Sequence, residues 1–186
     1  MKRLFIAIPV YPTQKLIKFS EQLQTIAPYP AVKWVNPEQY HLTLQFLGDT
    51  DEDVVSGISR CLAIITNKYE QFDFSVEKTG KFTDRQGNLK IIWAGINPTQ
   101  PFIALNKDIY NLLKESGFVF SHKRFKAHLT LGRVKHLKDP SELYDMLRKY
   151  TNAIFAKQKA VEFNLIESKL TSAGPEYHII ETFKLK

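Results

Sequence analysis

The sequence predicts an α+β domain with largely antiparallel sheets. Three observations indicate this fold class: strand-like and helix-like segments intermix irregularly, short turns join neighbouring strand segments, and no Gly/Ser-rich or low-complexity tract divides the chain. The 186 residues are 44% hydrophobic and 24% charged, which is typical of a globular protein of one ordinary domain. We therefore expect residues 1–186 to form a single unit.

Two strands and two helices are predicted in the first third of the chain. Residues 2–9 and 41–47 are rich in Leu, Ile and Phe and have the length of strands. Residues 12–27 and 51–68 are the predicted helices, because apolar residues recur there at spacings of three and four. These apolar stripes are Leu16, Phe19, Leu23 and Ile26 in the first helix, and Val54, Ile58, Cys61, Leu62 and Ile65 in the second.

The rest of the chain adds strands joined by turns, and two further helices. The predicted strands cover residues 72–82, 89–96, 128–133, 157–170 and 177–185. The third helix is predicted at 99–116, with Gly117 as its C-terminal stop, and the fourth extends from Pro140 to about Tyr150. Turn residues around Gly87 and a stretch from Ser172 to Pro175 separate consecutive strands.

Charge and composition limit the classes of function. The formal net charge is +7 and the pI is about 9.4, which favours polyanionic partners such as RNA or nucleotides. The one cysteine, Cys61, excludes an internal disulfide and a multi-cysteine metal site, and so indicates the reducing cytoplasm. No apolar run reaches the roughly 18–20 residues that cross a bilayer, so no membrane partner is expected.

One tetrapeptide occurs twice in the chain. The sequence His41-Leu42-Thr43-Leu44 recurs as His128-Leu129-Thr130-Leu131, close to half the chain further on. At average composition, a repeat of this kind with a paired histidine is expected by chance about 0.01 times. In a strand, alternate side chains share a face, so each copy directs its histidine and threonine to one side and its two leucines to the other.

The repeat suits chemistry at phosphorus. If the two halves pack about a pseudo-twofold axis, two imidazoles and two hydroxyls converge on one cleft. One neutral imidazole can then accept a proton from an attacking water, while one imidazolium protonates the leaving oxygen. The threonine hydroxyls can donate hydrogen bonds to the non-bridging phosphate oxygens. No set of Asp, Glu or Cys completes a typical metal site around the histidines, so we expect no metal.

These motifs resemble the 2H phosphoesterase superfamily, and within it the RNA 2′,3′-cyclic phosphodiesterases, also called 2′-5′ RNA ligases. The resemblance extends over nearly the whole chain. Besides the two tetrapeptides it includes Arg3–Ile8, Lys33–Val35, Phe125–Arg133, Glu167–Leu170, Gly174 and Tyr177. One position departs from the pattern, because Ala127 stands where relatives often have the stiffer proline.

The resemblance implies a two-lobed, pseudo-symmetric fold, in which each lobe is an antiparallel sheet with helices and the active cleft lies between the lobes. It implies metal-independent hydrolysis of RNA 2′,3′-cyclic phosphate ends to 2′-phosphomonoesters, with reverse 2′-5′ ligation. We also expect the chain to act as a monomer without a cofactor. His41 would be the proton donor to O3′ and His128 the proton acceptor from water. Thr43 and Thr130 would hold the phosphate.

Arg133 is a further substrate-binding candidate, because it follows the second motif directly. Strict alternation along a strand would, however, turn it away from His128 and Thr130. It belongs to a basic segment without an acidic residue between Ser121 and Lys138, which could line an RNA path. The basic residues of this segment are Lys123, Arg124, Lys126, Arg133, Lys135 and Lys138.

Two other interpretations remain open from the sequence. The same chemistry could act on a small nucleotide such as an ADP-ribose cyclic phosphate, and dependence on substrate length separates this case from RNA. Alternatively, the chain is a non-catalytic RNA-binding module that uses only its basic surface, in which case both histidines are dispensable. For the remaining histidines, His122, His136 and His178, surface or packing roles are expected.

Overall fold

A computed structural model describes residues 1–120, 126–171 and 175–186 of the chain. The α+β prediction is confirmed, since these residues form nine strands and four α-helices. The strands are β1 (Lys2–Pro9), β2 (Val32–Trp34), β3 (His41–Thr50), β4 (Phe72–Thr83), β5 (Leu89–Asn97), β6 (His128–Val134), β7 (Ile154–Ala160), β8 (Glu162–Leu170) and β9 (Pro175–Lys184). The helices are α1 (Gln14–Ile26), α2 (Val55–Thr66), α3 (Gln100–Glu115) and α4 (Ser141–Lys149).

All nine strands belong to one sheet, whose order is β7-β4-β5-β6-β3-β1-β8-β9, with β2 paired to β6. Every pairing is antiparallel. The two tetrapeptides lie on the central strands β3 and β6, whose register consists of a single pair, Leu42 opposite Leu129. This junction pair joins a first half-sheet (β1, β3, β8 and β9) to a second half-sheet (β2 and β4–β7).

The strand order and the helices are arranged pseudo-symmetrically about the junction pair. Outward from the centre, β3, β1, β8 and β9 correspond to β6, β5, β4 and β7. Helix α1 follows β1 but packs on β7 of the second half-sheet, and α3 follows β5 but packs on β3 of the first. Helices α2 and α4 contact β9 and β4, respectively. Each half-sheet with its two helices is one of the two expected lobes.

The main hydrophobic core contains the inward faces of both the strands and the helices. Most of the predicted apolar stripes are buried, including Leu16 and Leu23 of α1 and Ile58 and Leu62 of α2. The leucines of both tetrapeptides belong to the same core, and each is at most 2% exposed. Burial of these leucines forces the alternate histidines and threonines to the opposite face of the sheet. Among the described residues, no helix is long and apolar enough to cross a membrane.

The prediction of one strand over residues 157–170 is wrong. The segment forms two strands that separate at Val161, and the chain passes there from the edge of the second half-sheet into the first. The Val161 carbonyl accepts a hydrogen bond from the Leu185 amide, at 2.9 Å. No Gly or Pro marks this crossover, so the sequence carries no turn signal. The sequence also does not predict the short strand β2, since three residues are too few for a periodic pattern.

Other differences concern the ends of elements. A 3-10 turn, Glu52–Val54, precedes α2, and the Asp51 side chain makes no capping hydrogen bond although Asp is a common N-cap residue. In α1 the Thr13 hydroxyl caps the helix by accepting from the Leu16 amide, which places the start after Pro12. The turn predicted at Ser172, Ala173 and Gly174 lies outside the described residues.

The junction pair can be tested by a double-mutant cycle. Leu42→Ala and Leu129→Ala each truncate a buried side chain, so each is expected to lower the free energy of unfolding by about 2–5 kcal/mol. Because the two side chains are cross-strand neighbours, the double variant is expected to differ from the sum by about 0.5 kcal/mol or more. Urea denaturation measures all three values.

Leu147→Ala provides the matched control for this cycle. Leu147 is also a buried leucine, but it lies on α4, which packs on β4, three strands and about 14 Å from β3. Its effect should therefore add to that of Leu42→Ala within about 0.5 kcal/mol. Strict additivity of the Leu42 and Leu129 variants would contradict a direct contact at the junction.

Candidate active site

Both repeated histidines are oriented by a backbone carbonyl two residues earlier in the chain. His41 Nδ1 lies 2.8 Å from the Gln39 carbonyl oxygen, and His128 Nδ1 lies 2.6 Å from that of Lys126. A carbonyl oxygen can only accept, so each Nδ1 carries the hydrogen. In the neutral rings the lone pair therefore lies on Nε2, which is free to exchange a proton with a bound molecule. The equivalence of the two contacts extends the pseudo-symmetry to atomic detail.

The junction pair places the four polar side chains around one point. Since β3 and β6 run antiparallel through Leu42 and Leu129, His41 lies nearest Thr130 and His128 nearest Thr43. The two histidines are thus diagonal neighbours, a relation that separates residues of a regular ladder by about 7–8 Å. A separation of that order would leave room for a phosphorus atom between an attacking and a leaving oxygen. The structure accordingly brings together the predicted histidines and threonines.

A β-bulge occurs at the fourth residue of each tetrapeptide. Leu44 is the extra residue of β3 against β1, and Leu131 is the extra residue of β6 against β5. A bulge shifts the alternation by one residue, so that the side chains beyond it exchange faces. The residues that follow two positions later, Phe46 and Arg133, therefore return to the face of the histidines.

The expectation that Arg133 points away from His128 and Thr130 is wrong, because the bulge turns its side chain to the face of the histidines. That expectation assumed strict alternation, which the extra residue Leu131 interrupts. Gly132 makes this conformation compatible with the neighbouring strand: a Cβ atom there would lie 2.7 Å from Cε3 of Trp34. The Trp34 ring is held by a hydrogen bond from its Nε1 to the Ala27 carbonyl, at 2.8 Å.

Aromatic rings pack against both imidazoles. The ring centroids of Phe5 and Tyr177 lie 4.9 and 5.1 Å from that of His41, and the Phe82 centroid lies 4.9 Å from that of His128. The Tyr177 and Phe82 rings are nearly perpendicular to the imidazoles. Sequence reasoning did not identify Phe5 or Phe82 as part of the site. Alternation along β1 could have shown that Phe5 faces the cleft, but only with the knowledge that β1 lies beside β3. Nothing in the sequence signals Phe82.

A cavity of about 670 Å³ opens beside this pair of motifs. His41, Thr43 and Arg133 line it, whereas His128 and Thr130, on β6, are not among its lining residues. Its wall also contains two phenylalanines and Tyr177, and none of its lining residues is acidic. Among the described residues, the cations that line it are Arg3, Lys33, Arg133 and Lys135.

The predicted basic segment contributes to the site only in part. Arg133 and Lys135 line the cavity, and the Lys126 ammonium lies 4.9 Å from the centroid of Phe82, beside His128. Lys138 is exposed after β6. Lys123, Arg124 and His122 lie outside the described residues.

Both histidines have a pKa below the ordinary value of 6.5. Burial is the main cause in each case, since it disfavours the charged imidazolium. The carbonyls of Gln39 and Lys126 oppose this effect, while the positive charge of Arg133 lowers both pKa values further. The charge of His128 also lowers the pKa of His41. At neutral pH both rings are therefore uncharged and share the field of one guanidinium.

Comparison with known proteins identifies the family of the chain. Residues 6–93 match the family model described as LigT like phosphoesterase. The chain is 35% identical over 182 residues to an RNA 2′,3′-cyclic phosphodiesterase of Archaeoglobus fulgidus, covering 98% of this chain and 99% of that protein. It is 31% identical over 179 residues to a protein of the same name from Thermotoga maritima, covering 96% and 92% of the two chains.

Solved structures share the fold over nearly the full length. The structure of TT0787 of Thermus thermophilus superposes with a TM-score of 0.78 at 24% identity, covering 98% of this chain and 97% of the other. Escherichia coli LigT complexed with 3′-AMP superposes with a TM-score of 0.72 at 19% identity, covering 100% and 98%. Because these sequence identities are no higher than 24%, the superpositions show a shared fold and nothing beyond it.

The field of Arg133 can be measured by NMR titration of the histidine Cε1–H signals. In the free protein, His41 and His128 are expected to titrate below pH 6.5, as a coupled pair. Arg133→Gln removes a cation that disfavours both imidazolium forms, so both apparent pKa values should rise. Lys107→Gln, on the exposed face of α3, is the control and should leave them unchanged. Unchanged titration in the Arg133 variant would show that its guanidinium does not face the imidazoles.

Proposed function

Because the chain belongs to the LigT-like phosphoesterase family, we propose that it hydrolyses the 2′,3′-cyclic phosphate at RNA 3′ ends to a 2′-phosphomonoester. The name of its relatives supports the substrate, and the geometry of the two motifs supports the chemistry. The observation that carries the proposal is the pair of carbonyl-held imidazoles, placed diagonally across the junction pair, whose Nε2 atoms have no hydrogen-bond partner among the described residues.

The proposed reaction is an in-line displacement at phosphorus. His128 Nε2 accepts a proton from water as the water oxygen bonds to phosphorus. The bond between phosphorus and O3′ breaks, and His41 Nε2 donates its proton to O3′. The products are a 3′-hydroxyl and a 2′-phosphomonoester, with His128 protonated and His41 neutral. Exchange of both protons with solvent restores the starting state. The assignment of acid to His41 and base to His128 follows the family resemblance.

The remaining polar groups are proposed to stabilise the charge on the phosphate. Thr43 and Thr130 donate hydrogen bonds to the non-bridging oxygens, and Arg133 supplies a positive charge beside them. The substrate anion in turn raises the pKa of the imidazoles, which burial and Arg133 lower in the free protein. Binding of the cyclic phosphate thus favours the proton that His41 must carry. With a 5′-hydroxyl in place of water, the same steps form a 2′-5′ linkage.

The proposal also includes the cellular compartment in which the enzyme acts, the cytoplasm. A single cysteine without a partner is typical of proteins of the reducing cytoplasm, where RNA ends are available. The proposed acid, base and phosphate-binding groups all come from one chain, so the proposed reaction needs neither a second copy of the chain nor a cofactor.

The reaction class can be tested with an oligonucleotide that ends in a 2′,3′-cyclic phosphate, incubated with the protein in EDTA. The wild type is expected to produce a 2′-phosphate. His41→Ala and His128→Ala are each expected to lower kcat by about 10²–10⁴-fold, because each removes a general acid or base. Separation of the products by chromatography, with standards for the 2′- and 3′-phosphates, measures the rate and the regiochemistry.

His178→Ala is the matched control, because His178 is an exposed histidine on β9, paired at 3.9 Å with Glu176. It should retain the wild-type rate. RNA binding without conversion by the wild type would favour the alternative of a binding module. Conversion of an ADP-ribose cyclic phosphate, but not of the oligonucleotide, would favour a small nucleotide as the substrate.

The roles of the two histidines can be distinguished with a substrate whose O3′ is replaced by sulfur. A thiolate leaves without protonation, because thiols are far more acidic than alcohols. The loss caused by His41→Ala should therefore be largely restored on this substrate, whereas the loss caused by His128→Ala should remain. Relative rates on the oxygen and sulfur substrates provide the measurement, and rescue of the His128 variant instead would reverse the assignment.

A further inference from the structure

Two cations of the cavity lie directly opposite each other across two strands. Lys33 of β2 pairs with Arg133 of β6 in the antiparallel register, so that both side chains share one face. Like charges at such positions are destabilising in the folded protein. Lys135, which also lines the cavity, follows two residues after Arg133. The cations therefore extend outward from the histidine pair along β2 and β6.

No acidic side chain neutralises this row. Among the described residues, none of Arg3, Lys33, Arg133 and Lys135 forms an ion pair. Asp49 lies opposite Arg3 in the register of β1 and β3, yet the Arg3 guanidinium lies over the ring of Phe46 instead, 5.1 Å from its centroid. A cluster of unpaired like charges around a cavity is the electrostatic signature of an anion site.

Lys33 and Lys135 also line a second cavity of about 500 Å³, which neither His41 nor His128 lines. Its wall includes Tyr29, which is 78% exposed, and His136. The two lysines thus stand at the boundary between the catalytic cavity and this outer cavity. Because both cavities share these lysines, a molecule that occupies the catalytic cavity and extends toward the outer one comes within reach of both.

We propose that Lys33 and Lys135 bind the phosphate on the 5′ side of the terminal nucleotide, so that the site selects an RNA strand over a mononucleoside cyclic phosphate. This inference rests on the proposed function. At a cyclic 3′ end the strand continues only on the 5′ side, so a single row of phosphates leaves the reacting centre. Arg133 contacts the reacting phosphate, and the two lysines bind the next phosphate of the strand. Exposed Tyr29 offers a stacking surface for the preceding base, which would be tolerant of sequence.

The smallest test adds a single phosphate to a mononucleotide. Adenosine 2′,3′-cyclic phosphate is compared with its 5′-phosphorylated form and with the dinucleotide that ends in the same group. In the wild type, the 5′-phosphate should raise kcat/KM by about tenfold or more at low salt, since it gains charge-assisted contacts. The dinucleotide should be at least as good a substrate as the 5′-phosphorylated form.

The variant Lys33→Gln with Lys135→Gln should remove most of this advantage, which is measured as the ratio of kcat/KM for the phosphorylated and unphosphorylated substrates. For a longer strand, the slope of log KM against log salt should decrease by about 0.7 for each phosphate contact that is lost. The double variant Lys18→Gln with Lys107→Gln is the control, because it removes the same charge from exposed positions of α1 and α3. Its ratio and slope should equal those of the wild type.

The outcomes separate the two proposals. If the wild type hydrolyses none of these substrates, the proposed function fails. If it hydrolyses all of them but the 5′-phosphate does not raise kcat/KM, the phosphate site is refuted while the activity stands. The same conclusion follows if the lysine variant lowers kcat/KM by the same factor for the phosphorylated and the unphosphorylated substrate. A loss of equal size in the control variant would also refute it, because net charge alone would then explain the effect. Preference for an ADP-ribose cyclic phosphate over the dinucleotide would refute selection of an RNA strand.

Discussion

The contact between Leu42 and Leu129 is the constraint on which the rest of this site depends. Among the described residues it is the one register pair between the two half-sheets, and both leucines are buried in the main hydrophobic core. Since side chains alternate along a strand, burial of the leucines directs His41, Thr43, His128 and Thr130 to the opposite face. A polar site without rigid support would lose its geometry to side-chain motion. Here the hydrophobic core provides that support directly, because it begins one residue away from each catalytic candidate.

Hydrogen bonds and bulges of the backbone further determine how the side chains around the junction pair are oriented. A carbonyl two residues before each histidine selects the same tautomer in both rings, so that Nε2 is the proton-exchanging nitrogen in each. A bulge at the fourth residue of each tetrapeptide then exchanges the faces of the strand. The two copies diverge after the bulge: the first presents Phe46 and the second presents Arg133. Pseudo-symmetry thus provides two similar imidazoles, and the residues after each bulge make the two sides of the cleft chemically different.

Electrostatics connects the site to its proposed substrate. Burial and the charge of Arg133 keep both imidazoles neutral in the free protein, and neither effect favours the imidazolium that an acid catalyst needs. An anion bound between the rings reverses this balance, because it favours the charged form. The same reasoning applies to the outer cations: Lys33 opposite Arg133 is unfavourable in the empty protein and favourable beside a phosphate. The fold therefore tolerates repulsion that a polyanionic ligand would relieve.

The sequence by itself determined the fold class, the helices and the chemistry-bearing pairs, because these depend on local periodicity and on a repeat with alternating polarity. Leu16 and Leu23 of α1, and the leucines of both tetrapeptides, occupy the buried positions that their spacing predicted. Only the tertiary structure decided where Arg133 points, because the extra residue Leu131 is defined by pairing with β5 and leaves no mark in the sequence. The same holds for the separation of β7 from β8 at Val161, where the strands join different half-sheets without a turn residue. Contacts such as Phe5 with His41, and Lys33 with Arg133, likewise depend on strand neighbours that are distant in the chain, so spacing could not reveal them.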